Sequence, residues 1–313
     1  MRPYPTGRPV RQGGVALITA IAVVAIAVST AAFLAFDQQI SIRGSHNLLA
    51  HDQAMEYVHA AEGLAQIALI EDAADGNVDS LDETWAQPAS LPLSDQAMIS
   101  GQIIDLQGRL NLNSLVNADG KINATALARL ERLLARLELP PMLAAAIVDW
   151  IDPDREPYGM GGAEDDAYTR LDPPYLPANT WLVSVTELRL VAGIDEERYQ
   201  RLAPYVSTLP EPTPININTA SPEVLQAIGI PEGVLGAVLD ARADKPFESV
   251  DALFALSSLR ELDIERAGLS VGSGYFGLYS QVRFANTDLS LFSLIRRDEN
   301  GTLRVLRRRH ELF

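Results

Sequence analysis

The sequence contains no cysteine and only four histidines among its 313 residues. Disulfides and thiolate metal sites are therefore excluded. The histidines stand at His46, His51, His59 and His310, and the first three are spaced by five and eight residues. Such spacing does not give the i, i+4 pair that a helical metal site needs. A histidine-based metal centre is not expected.

Basic residues are also scarce, with 25 Lys and Arg against 41 Asp and Glu and a net charge of −16. Such a surface repels nucleic acid unless a local basic patch intervenes, so no nucleic-acid partner is expected. The phosphate-binding glycine signature and the nucleophile elbow are both missing, and Gly159-Met-Gly-Gly162 does not open a helix after a strand. The sequence therefore predicts a protein that is not an enzyme.

Proline is absent between Val15 and Gln87, and charge is absent between Val15 and Phe36. A helical run of about 22 residues spans roughly 33 Å, which is enough to cross a bilayer. Basic residues precede it, which favours a cytoplasmic N-terminus. Apolar residues then keep a roughly helical spacing as far as Ile67. We expect one helix from Val15 to about Ala73, apolar all round at first and amphipathic later; a plain signal anchor is the alternative.

The order of basic leader, Gly14, Val15 and apolar run resembles the type IV prepilin class of signal. An ordinary secretory signal has its small-residue cleavage site after the apolar core, whereas here the small residue comes before it. The resemblance implies cleavage between Gly14 and Val15 by prepilin peptidase, with methylation of the new amino terminus. Pilin-like subunits usually carry glutamate five places into the mature chain, where this sequence has Thr19.

Strand patterns flank a long middle segment of different character. Residues 98–112 alternate in part, with a turn at Gln107-Gly108 that would divide two strands. Further strands are expected at residues 275–284, 289–296 and 302–308, after which the pattern ends. Residues 72–92 read as a polar, acidic linker. The pattern predicts an antiparallel sheet interrupted by a mostly helical insertion.

The insertion contains an internal duplication. Asn111-Leu-Asn113-Ser matches Asn216-Ile-Asn218-Thr; Leu139-Pro140 through Asp149 matches Ile230-Pro231 through Asp240; Ser184-Val matches Ser249-Val. Three matches in the same order favour two copies of one capped helical unit. The second copy resembles the helix-hairpin-helix module of competence DNA receptors. Its hairpin, Gly229-Ile-Pro-Glu-Gly233, is acidic where those modules bind phosphate, so a packing role is favoured over DNA binding.

An acidic loop rich in proline and glycine is inserted into the first copy, between Asp149 and Ser184, and the second copy lacks it. Seven carboxylates are candidate ligands of a hard cation, and calcium takes six to eight oxygens in such loops. They are Asp149, Asp152, Asp154, Glu156, Glu164, Asp165 and Asp166. A solvated acidic loop is the alternative, but ordering this many like charges without a cation is costly. The sequence predicts a structural calcium site.

Taken together, the leader, Thr19, the stalk, the interrupted sheet, the Asn-Ile-Asn-Thr-Ala run and the acidic loop resemble the general secretion pathway protein K (GspK) family. The resemblance implies an α+β, pilin-like fold with a large helical insertion, and a minor pseudopilin of type II secretion. It implies a tip position with minor pseudopilins I and J, and a single-pass anchor in the inner membrane with a periplasmic head. Contact with secreted substrates is left open, and a membrane-anchored, competence-type DNA-binding protein is the alternative function.

Domain boundaries follow from these patterns. We expect a leader at 1–14, a transmembrane and stalk helix at 15–73, the first part of the sheet at 74–112, an insertion at 113–270 with halves near 113–206 and 215–270, and the last strands at 271–313.

Overall fold

The structure is a computed structural model that describes residues 13–94, 97–285 and 287–310. Most of the predicted leader, with Arg2, Arg8 and Arg11, lies outside the described residues. The predicted fold class is confirmed, since a long helix, an antiparallel sheet and a large helical insertion are all present. In chain order, the elements are α1 (Gly13–Asp75), β1 (Ala89–Ser94), β2 (Ala97–Asp105), β3 (Leu110–Asn111), α2 (Ala124–Arg136), α3 (Leu143–Ile151), α4 (Asp165–Tyr168), α5 (Glu196–Leu202), β4 (Val206–Ser207), β5 (Ile215–Asn216), α6 (Pro222–Ala227), α7 (Glu232–Asp244), α8 (Val250–Phe254), β6 (Leu269–Ser270), β7 (Tyr275–Phe284), β8 (Thr287–Arg297) and β9 (Leu303–His310).

Helix α1 has 63 residues and is therefore about 95 Å long. It begins two residues earlier and ends two residues later than the sequence predicts. Its large apolar residues between Val15 and Phe36 are all exposed in the isolated chain. Farther along, small and medium apolar residues form one buried stripe at helical spacing: Ala54, Val58, Ala61, Ala65 and Leu69. Only the second half of α1 thus packs against the rest of the chain.

The five long strands form one antiparallel sheet in the order β1-β2-β7-β8-β9. Alternate residues of its central strands, such as Ile99, Leu278 and Leu291, are buried against the stripe of α1. This follows from the two-residue period of a strand, which places one face of the sheet on the helix. The other face, with Phe292 and Leu294, packs in part under the insertion.

A buried ion pair joins the stalk to the sheet. The Glu62 carboxylate of α1 accepts two hydrogen bonds from Arg308, at 2.7 and 2.8 Å, and one from Ser293 at 2.6 Å. Burial alone would raise the pKa of Glu62, but the hydrogen bonds from Arg308 and Ser293 hold this pKa below its ordinary value. Glu62 is therefore charged where α1 crosses β8 and β9.

Strand β3 differs from the sequence-based expectation. It does not join the five-stranded sheet but pairs in parallel with β4, while β5 pairs in parallel with β6. The chain leaves the sheet near Gly108, where a Cβ would lie only 2.6 Å from the Thr219 hydroxyl, so the two segments touch at the backbone. Each half of the insertion is therefore closed by a parallel pairing of its first and last residues.

The duplication is visible in matching side-chain contacts. The Asn113 amide exchanges hydrogen bonds with the backbone N–H and C=O of Leu182, and Asn218 makes the same pair with Phe247. Two residues after each partner, Ser184 or Ser249 caps the next short helix. Both halves contribute to one continuous hydrophobic core. The predicted packing unit is thus present twice, with its polar clamps in equivalent places.

Candidate functional site

The acidic loop begins at the end of α3 and is organised by Asp149. This carboxylate is fully buried and accepts the backbone N–H of Tyr158 at 2.9 Å and of Ala163 at 2.6 Å. A Cβ at Gly162 would lie 2.6 Å from the same carboxylate, so the loop closes on it only with glycine there. Asp149 therefore draws the two ends of the loop together.

Three other carboxylates converge at the closed loop, two of them buried and the third, Asp154, exposed. Oxygens of Asp152, Asp154 and Glu164 lie within 4.8 Å of one another. Asp152 and Glu164 are 3% and 5% exposed, and Asp152 Oδ1 and both oxygens of Glu164 have no hydrogen-bond partner among the described residues. Buried acceptors without donors are rare in native proteins and call for an explanation.

Burial and mutual repulsion shift the protonation of this cluster. Burial, with repulsion from Asp154 and Asp149, raises the pKa of Asp152 to about 6. Burial, with repulsion from Asp149 and Asp152 above all, raises the pKa of Glu164 to about 7. A bound cation would satisfy the unpartnered oxygens and would remove the repulsion, and oxygen-only ligands suit a hard cation such as calcium.

The remaining predicted ligands point elsewhere. Glu156 is exposed, and its backbone N–H donates to Asp154 at 2.8 Å. Asp165 faces Arg155 at 3.6 Å, and Asp166 faces Arg170 at 3.6 Å. Both aspartates open the short helix α4, where a negative charge is favourable. The structure thus brings together Asp152, Asp154 and Glu164 beside Asp149, and leaves the other three at the surface.

An aromatic cluster packs beside the acidic loop. Tyr168 is fully buried, packs edge-on against Trp150 at 5.3 Å between ring centroids, and also contacts Tyr175. Its hydroxyl accepts the backbone N–H of Ala192 at 3.1 Å. The cluster ties the loop to the first half of the insertion.

A second carboxylate group lies where the end of α1 meets the insertion, and sequence reasoning missed it. Asp72, Asp79 and Glu83 lie close together, but Arg297 makes ion pairs with Asp72 and Asp79. The guanidinium already supplies the positive charge, so this group is a structural junction. The three carboxylates lie within one short segment, but Arg297 is more than 200 residues away, and only the fold shows that it neutralises them.

The same junction contains the buried Asp105. Its carboxylate accepts hydrogen bonds from Gln107 N–H, Asn216, Thr219 and Ser273. Burial raises its pKa despite these donors. The network fixes the second half of the insertion onto the end of β2.

The start of α1 carries the predicted processing and assembly residues. Gly14 and Val15 lie inside the helix, with Val15 exposed. The Thr19 hydroxyl lies 3.0 Å from the carbonyl oxygens of both Val15 and Ala16, so its donor is satisfied within its own helix. The segment is long and apolar enough to cross a membrane, and its most apolar part is wholly exposed in the isolated chain.

Comparison with known proteins gives consistent matches. Two models of the family described as type II secretion system (T2SS), protein K, match residues 108–211 and 215–272. The type II secretion system protein K of Pseudomonas aeruginosa is 38% identical over 95% of this chain and 92% of its own length. That of Aeromonas hydrophila is 34% identical over 95% of this chain and 97% of its own length.

A solved structure matches as well. It is the GspK-GspI-GspJ complex from the enterotoxigenic Escherichia coli type 2 secretion system, with a TM-score of 0.77 and 30% identity. The match covers 86% of this chain and 99% of that chain. The two family models divide the chain near residue 213, between the two parallel-closed halves described above.

Proposed function

The chain belongs to the type II secretion system protein K family, and we propose that it is the minor pseudopilin at the tip of the secretion pseudopilus. In this role it initiates or caps a short filament that drives folded proteins across the outer membrane. It sits in the inner membrane through α1, with its head in the periplasm. Its filament partners are minor pseudopilins I and J, by analogy with the similar GspK-GspI-GspJ complex.

The uncovered apolar surface of α1 carries this proposal. Only one stripe of the second half packs on the sheet, while Ile40, Leu48, Leu49 and Ile67 stay exposed. Apolar residues exposed over this length of helix mark an interaction surface, and helices with such surfaces pack side by side. The α1 helices of partner subunits are suited to cover it.

Thr19 supports the position at the tip. The first acidic residue after Val15 is Asp37, so the mature helix start offers no carboxylate to the amine of a neighbour above it. A carboxylate in that apolar surrounding would need such a partner, whereas the Thr19 hydroxyl is satisfied by its own helix. A subunit with nothing above it therefore has no use for glutamate here.

Cross-linking tests the tip proposal. The native chain has no cysteine, so single cysteines can replace Leu48 and Leu49 in a clean background. Oxidation in membranes that contain partners I and J, each with a single cysteine introduced into its own stalk helix, should give heterodimers with one copy of this chain. A matched cysteine at Ala61, which is covered by the sheet, should give none. Ladders of self-linked chains would place the protein in the shaft and contradict the proposal.

We propose that Asp152, Asp154 and Glu164 hold a structural calcium ion, with Asp149 shaping the loop around them. The unpartnered buried oxygens support this assignment. Calcium titration followed by calorimetry should show binding to the wild type and its loss in Glu164→Gln. Asp166→Asn, which removes a charge from the same loop outside the cluster, should bind normally. Equal affinity of the two variants would place the ion elsewhere.

The competence-type DNA-binding alternative is not favoured. Near the hairpin, Arg242 donates to the carbonyls of Ile217 and Ala220, and Lys245 pairs with Glu248 at 2.6 Å. Both cations are thus used within the chain, beside an acidic hairpin. A DNA clamp needs such groups free for phosphate.

A further inference from the structure

A deep cleft lies between the sheet and the first half of the insertion. It encloses about 820 Å³, which is within the range of ligand pockets. Tyr279, Phe292 and Leu294 line it from the sheet face that points away from α1, and residues 183–209 of the insertion line the opposite side. Strand β9 forms one rim.

The charge of this cleft is opposite to that of the protein. Its described lining contains no carboxylate, although the whole chain carries −16. The basic side chains on the cleft side are Arg109, Arg189, Arg307 and Arg309, whereas Arg308 of the same rim turns to Glu62 on the opposite face of the sheet. Positive charge concentrated in a concave site attracts anionic ligands, because the low-dielectric walls focus the field.

Arg189 and Arg308 are neutralised by ion pairs within the chain. Arg189 pairs with Glu196 and Arg308 with Glu62, each at 2.7 Å. Arg307 donates to the neutral carbonyl of Val183, and Arg309 donates to the Ser184 hydroxyl at 2.6 Å. Contacts with the insertion thus position Arg307 and Arg309 along the rim.

Arg109 is the basic residue of the cleft that most needs an anionic partner. It is largely buried between β2 and the insertion, and among the described residues its guanidinium has neither an ion pair nor a hydrogen bond. Burial lowers its pKa, against the attraction of Tyr279 and Asp105. The Asp105 carboxylate is already occupied by four donors. A cation buried without a partner destabilises the fold, and a carboxylate ligand would pair with it in the two-pronged geometry that guanidinium favours.

The arrangement favours a polypeptide over a small anion. The cations come from the end of β2, from the insertion and from β9, so they extend along the cleft instead of meeting in one phosphate cradle of backbone amides. In the described sheet, β9 pairs only with β8 and is an edge, which an extended segment can join through its backbone. We propose that this cleft binds an acidic, extended segment of a partner protein, with one of its carboxylates on Arg109. The site is separate from the stalk surface of α1.

Peptide binding to the full-length protein in neutral detergent tests the proposal. The probe is a fluorescent ten-residue peptide of alternating glutamate and valine, and the control peptide has glutamine in place of glutamate. Anisotropy should show binding of the glutamate peptide alone, weakening as salt rises from about 50 to about 300 mM. Arg109→Gln should weaken it by about tenfold or more, as expected for a charged hydrogen bond. Arg304→Gln, on β9 but outside the cleft, should change it by less than about twofold.

A second variant keeps the test independent of folding effects. Thr208→Glu places a carboxylate inside the cleft and should displace the peptide while Arg109 stays in place. If Arg109→Gln fails to fold, Thr208→Glu alone decides. Equal binding of the glutamine peptide, unchanged affinity in Thr208→Glu, displacement by low-millimolar inorganic phosphate, or capture of phosphatidylglycerol vesicles without peptide binding would each overturn the proposal.

Discussion

The asparagine clamp of the second half offers the sharpest test of the duplicated unit. In Asn218→Ala, the N–H and C=O of Phe247 would lose their side-chain partner in a site where Asn218 is 1% exposed. Each buried backbone group left unpaired costs about 1–3 kcal/mol, so the free energy of unfolding should fall by about 2–5 kcal/mol. Asn113→Ala should cost at least as much, because that amide also donates to Leu209 at 2.8 Å.

Urea unfolding of the full-length protein in detergent, followed by tryptophan fluorescence, measures this loss. Asn123→Ala is the matched control, since it removes an asparagine that only caps α2 through Ala126 at 3.2 Å and should cost about 1 kcal/mol. Asn218→Asp keeps the acceptor for Phe247 N–H but removes the donor to its carbonyl. The substitution also places a buried negative charge against that carbonyl, so this variant should be no more stable than Asn218→Ala. The reasoning is refuted if Asn218→Asp matches the wild type, or if Asn218→Ala costs less than Asn123→Ala.

Three further predictions follow from the stalk and the loop. Glu62→Gln removes the ion pair with Arg308 and should lower the free energy of unfolding by about 1–2 kcal/mol; the loss stays this small because Arg308 is 45% exposed and can turn to water. Hydrogen exchange should then rise in β9 but not in β1. In the presence of a chelator, the raised pKa values of Asp152 and Glu164 mean that the folded state holds protons that the unfolded state releases. The free energy of unfolding should therefore be greatest below about pH 4. It should fall by on the order of 2–4 kcal/mol as the pH rises through 6 to 7. Glu164→Gln should flatten that melting-temperature profile, and an identical profile would contradict the assignment. Gly14→Val should block cleavage at Gly14-Val15 because the peptidase needs a small residue there, whereas Gly13→Val should not, and the mass of the mature N-terminus decides.

The long strands and the stalk were predictable because their signals are local. Strands β7, β8 and β9 alternate in part between apolar and polar residues and are separated by short turns, and the buried stripe of α1 follows the helical period. Strand β1 lies largely in the segment that the sequence indicates as a linker. All six of its residues are exposed and it contains Pro92, so the alternation that marks a half-buried strand is missing.

The two candidate sites also differ in how much of each the sequence predicts. The acidic loop was predicted as a whole, but seven similar carboxylates in one segment do not reveal which of them turn inward. Asp149 is bound to loop amides and α4 starts at Asp165, and these two local structures decide that Asp152 and Glu164 face each other. The cleft around Arg109 was not predicted, because residues from five separate parts of the chain line it and no local pattern connects them.

The insertion leaves the sheet after Asp105 and returns at Tyr275, and Asp105 stands opposite Phe276 in the antiparallel register of β2 and β7. In topological terms, residues 106–274 are therefore the loop of a single β-hairpin. The entropy of closing a loop grows only slowly with its length, and here each half is closed on itself by β3-β4 or β5-β6. An ancestral head could thus gain one unit, and then its copy, without breaking any pairing in the sheet. The same geometry makes this hairpin tip a natural position for exchanging modules between related heads.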